Sequence, residues 1–66
     1  MEEKNNYFLY RGLVPRILTN TTHDEAVEVA KKEYREHGEK NNIELYKKTV
    51  LGTEQVLKWS ARANEE

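Results

Sequence analysis

Sixty-six residues without a cysteine allow one small domain, spanning 1–66, and exclude disulfides and thiolate metal sites. Eleven basic side chains against twelve acidic ones leave a net charge of −1, too weak a field to draw in nucleic acid or an anionic membrane by itself. A chain this short buries only about 60% of its unfolded surface and commonly leans on a partner, so a homo-oligomer is expected.

Residues 1–6 are polar, carry no apolar signal segment and read as a disordered tail, as do residues 63–66. Uncharged apolar runs fall far short of the ~20 residues that cross a bilayer, which points to a cytoplasmic protein without a membrane partner. The first regular element is Tyr7-Phe8-Leu9-Tyr10, an aromatic and aliphatic run suited to a strand. Arg11 to Pro15 reads as a turn, because Gly12 and Pro15 both interrupt regular pairing. Arg16-Ile17-Leu18-Thr19 returns as a second strand, with Pro15 at its start or on an edge. Thr19 to Thr22 reads as a polar loop.

The helix is the clearest element. Thr22 and Glu25 form a Thr-x-x-Glu capping box, which marks a helix starting at His23. Asp24 and Glu25 in the first turn, and Arg35 and His37 in the last, complement the helix dipole. Gly38 is expected to end the helix with a positive φ. Ala26, Val27, Ala30 and Tyr34 make one apolar stripe that Val29 widens, and charged residues fill the other side. Glu28 and Lys32 are placed to pair four residues apart.

After a polar connector, Ile43 to Leu51 alternates as a strand, and Gly52-Thr53 punctuates it. Val56 to Trp59 fits a fourth strand with Leu57 and Trp59 on one face. The helix formers between Glu54 and Ala63 leave a C-terminal helix open over 54–62. The reading is an α+β fold of order β-(β)-α-β-β, with one amphipathic helix covering one face of a small antiparallel sheet.

Catalytic equipment is not expected. His23 and His37 lie fourteen residues apart on one helix, roughly 21 Å by its rise, so they cannot share a metal. Thr21, Thr22, His23 and Asp24 assemble a hydroxyl, an imidazole and a carboxylate in sequence only, and Thr22 is committed to capping. The three glycines stand apart, so no phosphate-cradling loop forms, and no cofactor, metal or small-molecule substrate is implied. A chain this short would also struggle to enclose a pocket of about 300 Å³.

Two surface roles remain. Tyr7, Tyr10, Tyr46 and Trp59 are the residue types that anchor protein interfaces, and Phe8 and Tyr10 oppose Tyr7 and Leu9 across the strand, so apolar residues reach both sheet faces. Arg11, Arg16, Lys47 and Lys48 flank the tyrosines, and the alternative is single-stranded nucleic acid held by phosphate contacts and base stacking. The expected function is a non-enzymatic interaction or regulatory module that self-associates or binds a host protein.

Tyr7 to Arg16, followed by Thr22-His23-Asp24-Glu25-Ala26 and Ile43-Glu44-Leu45-Tyr46-Lys47, resembles short uncharacterised proteins of bacteriophage and prophage genomes. In those, a Y-x-x-Y-R-G strand leads to a T-x-x-E-A helix and a second strand ending in Tyr-Lys. The resemblance covers residues 7 to about 50 and transfers no site residues. It implies a phage or bacterial cytoplasm and a host-takeover or regulatory role.

Overall fold

The computed structural model describes residues 3–62, built as β1 (Lys4–Arg11), β2 (Val14–Thr22), α1 (His23–His37), β3 (Ile43–Thr49) and β4 (Gly52–Trp59). The four strands form one antiparallel sheet in the order β2-β1-β3-β4. Each hairpin pairs sequence neighbours, and the helix carries the chain from the β2 edge to β3 in the middle. This is the expected α+β fold, with one helix against one face of the sheet.

β1 and β2 join through Gly12 and Leu13, the two residues between the paired Arg11 and Val14. Gly12 has φ +62°, the value that the first position of a II′ hairpin turn demands and that only glycine adopts at little cost. Its N–H donates to the Asn42 carbonyl at 2.8 Å, which ties the turn to the start of β3. Pro15 lies in β2, an edge strand, where a missing donor is tolerated.

Both strands outrun their apolar cores. Thr19 to Thr22, expected as a loop, continues β2, and Lys4 to Asn6, expected as a tail, continues β1 through the pairs Lys4–Thr22 and Asn5–Thr21. A register shift between Asn5 and Tyr7, with Asn20 at φ +52°, absorbs the misfit between the polar and apolar stretches. The expected tail at 63–66 lies outside the described residues.

At the other hairpin, residues 54–59 are strand rather than helix. The reversal falls at Val50 and Leu51, before Gly52, because the Thr49–Gly52 pair already belongs to the ladder. Gly52 holds φ +138°, a conformation that strains a side chain, which explains why a glycine marks this point. Val56 is an extra residue in β4, since Leu45 pairs with Leu57 but Tyr46 pairs with Gln55. The bulge leaves Leu57 and Trp59 on the helix side, packed at the border of the core.

The helix follows its sequence signals, with two amendments. The Thr22 hydroxyl accepts from the Glu25 N–H at 3.2 Å, and Ala26 and Ala30 press into the core. Glu28 pairs with Lys31 at 3.8 Å rather than with Lys32. Gly38 has φ −74°, so no positive φ is needed. A Cβ there would collide with the Tyr34 carbonyl oxygen and the Tyr34 ring, so glycine is required by close approach instead.

The core is one layer between α1 and the sheet: Tyr7 and Leu9 of β1, Ile43 and Leu45 of β3, and the two alanines of α1. Alanines let the helix axis approach the sheet closely, and the larger strand side chains fill the space. Beyond β4, the Ala61 N–H donates to Asn42 Oδ1 at 2.7 Å and the Arg62 N–H to the Gly38 carbonyl at 2.9 Å. The Arg62 guanidinium lies 4.7 Å over the Tyr34 ring, and that ring packs 4.8 Å from Trp59. These contacts close the open end of the layer.

Candidate interaction surface

Strand parity divides the side chains between two faces. The helix takes Tyr7, Leu9, Ile43, Leu45, Leu57 and Trp59. The opposite face carries two rows fixed by the register: Ile17, Phe8, Tyr46 and Gln55 in one, and Pro15, Tyr10, Glu44 and Lys58 in the next. Among the described residues no second helix or strand covers these rows. Ile17 is 63% exposed, and Phe8, Tyr10 and Tyr46 are half-buried by one another.

Tyr10 and Tyr46 meet edge to face, with ring centres 5.8 Å apart at 88°. This is a favoured aromatic geometry, and the two rings form one continuous platform. The Tyr46 hydroxyl donates a short hydrogen bond to the Glu44 carboxylate on the same strand. That bond, more than any desolvation, pushes the Tyr46 phenol above its ordinary pKa, because ionisation would set two negative charges together. A shallow depression of about 310 Å³, open to solvent, runs between Phe8, Tyr10, Leu13, Glu44, Tyr46 and Thr53.

The structure separates the four aromatic anchors read from the sequence. Tyr10 and Tyr46 lie together on the uncovered face. Tyr7 is 1% exposed beneath the helix, so its reading as an interface residue is corrected to a core residue. Trp59 lies on the helix side, its ring packed at a 41° tilt against Tyr34. Phe8 and Ile17 complete the surface in their place. Parity pointed to Phe8, whereas Ile17 needed the β1–β2 register, which pairs it with Phe8.

The four cations are also dispersed. Arg11, Arg16 and Lys47 share parity with Leu9 and Leu45 and lie on the helix side, whereas Lys48 lies on the uncovered face. Arg11 is 3.1 Å from Glu33, whose side chain is only 15% exposed. Lys47 is 3.6 Å from Glu3. Glu3 has its carboxyl held below the usual range, first by a hydrogen bond from Asn5 and then by Lys47. No single basic patch results.

Glu33, Glu36 and His37 each bring one metal-ligating atom within 4.8 Å of the others. Their i, i+3, i+4 spacing does this on any helix, and Glu33 already accepts from Arg11. Among the described residues no helix is long and apolar enough to cross a membrane. Comparison with known proteins finds no matching family model, no matching curated protein and no matching solved structure.

Proposed function

We propose that the chain is a non-enzymatic interaction module that docks a protein partner on the sheet face opposite the helix. The observation that carries this reading is the uncovered row Ile17–Phe8–Tyr46 with Tyr10 beside it. Contiguous apolar surface rimmed by polar groups marks a docking site, and tyrosine and phenylalanine supply contact area at small entropic cost. A regulatory role in a phage-infected bacterial cytoplasm rests on the resemblance of residues 7–50 alone.

Single-stranded nucleic acid is the second reading, favoured by the Phe8, Tyr10 and Tyr46 platform with Lys48 and Lys58 nearby. The ion pairs that engage Arg11 and Lys47 on the other side weaken it.

A photo-reactive benzoylphenylalanine in place of Phe8, compared with one in place of the exposed helix residue Lys32, tests the surface in cells. Protein adducts should form at position 8 and be scarce at position 32. Equal yields from both positions would remove the proposal. Nuclease-sensitive adducts, with binding that falls steeply as salt rises, would transfer the surface to nucleic acid.

A further inference from the structure

We infer that the occupant of the uncovered face is a second copy of this chain, packed face to face about a two-fold axis through Tyr46. The inference rests on the docking surface proposed above and names its partner. Its ground is a charge pattern that complements itself. Glu44 and Lys48 stand two residues to either side of Tyr46 on β3, both on the uncovered face. Each is therefore about 6.6 Å from Tyr46 along the strand. A two-fold axis crossing the strands at the Phe8–Tyr46 row reverses every strand over its own copy. Tyr46 then meets Tyr46 and Phe8 meets Phe8. Glu44 of each copy lies over Lys48 of the other, so two opposite-charge pairs form at once. Sheets packed this way stand about 10 Å apart, a gap that a glutamate and a lysine reaching toward each other can span.

The same register disfavours a strongly charged partner. The face carries Glu44 against Lys48 and Lys58, so it has no one-sided field to complement. Size sets the strength. Four strands about 4.8 Å apart, over some six residues, give about 400 Å² per copy, which falls in the range of weak, concentration-dependent pairs.

Sedimentation equilibrium on the full chain, from about 10 µM to about 1 mM, reads this directly, because weak interfaces of this size dissociate in that range. The average mass should climb from one chain toward two. Glu44→Lys and Lys48→Glu should each weaken association at least tenfold, since each sets like charges opposite across the axis. Both substitutions are on the exposed face, and circular dichroism checks that the fold is kept. An equimolar mixture of the two variants should associate again, because each heterologous pair then matches opposite charges twice. The double variant should do the same alone. A chain that stays monomeric, single variants that associate like the parent, or a mixture no better than its components would overturn the inference. A monomer that still cross-links another protein from position 8 would overturn self-association and leave the docking surface standing.

Discussion

Tyr46 links the chemistry of the uncovered face to pH. Its hydroxyl donates to Glu44, and its pKa is raised. A group whose folded pKa is raised adds stability that is fully present below the unfolded value and is lost as pH rises through the folded one. Alkali above the ordinary tyrosine range should therefore loosen this pair. In an ultraviolet phenolate titration, Tyr46 should ionise late, and Tyr46→Phe should delete its step. Glu44→Gln should return it toward the ordinary value, and a late step that survives Glu44→Gln would show another cause. Glu3 has the opposite sign. Its lowered pKa adds stability above the unfolded carboxylate value that fades as pH falls through the folded one, although its exposure to solvent makes the effect small.

At the scale of elements, the helix is where local and tertiary demands agree. Thr22→Ala removes the acceptor for the Glu25 N–H and should cost about 1 kcal/mol. Gly38→Ala should cost more, about 1–3 kcal/mol, because its Cβ would meet a backbone carbonyl that cannot move without disturbing the last helical turn. Urea denaturation of the two variants ranks them. A smaller loss for Gly38→Ala than for Thr22→Ala would show that Tyr34 yields. Such agreement also explains what the sequence revealed. The helix was legible because cap, period and charge all lie within the helix and the one residue on either side of it, 22–38. The ends of β1 and β2 were not, since Lys4–Asn6 and Thr19–Thr22 are polar stretches that become strand only by pairing with each other. The turn at Val50–Leu51 was hidden because fully exposed aliphatics mimic a strand. The uncovered face was half legible. Parity alone places neighbouring Lys47 and Lys48 on opposite faces, so the sequence itself already separates these two cations. The meeting of Tyr10 with Tyr46, by contrast, depends on a cross-strand register that no local pattern encodes.

The whole molecule is a two-layer slab, 40 × 23 × 18 Å in extent, with its apolar core confined to one side of the sheet. A chain of this length is held by only about 3–10 kcal/mol. Removing one central side chain therefore consumes much of the total. Leu45→Ala, at a position with no solvent exposure, should cost about 2–5 kcal/mol in chemical denaturation. A loss below about 1 kcal/mol would mean that the helix settles into the vacated space.

The strand order has a consequence in time as well as in energy. Each hairpin closes over a two-residue turn, and the β1–β3 seam must wait for the helical crossover to bring distant segments together. Loop-closure entropy makes that seam the slow step, with the hairpins forming first within about 1–10 µs. Leu45 lies on the seam, opposite Leu9. Its truncation should therefore slow folding, whereas loss of the Arg62 contacts to Tyr34 and Gly38 should chiefly hasten unfolding. Stopped-flow kinetics separates the two limbs, and a Leu45→Ala variant that folds at the parent's rate would place the barrier elsewhere.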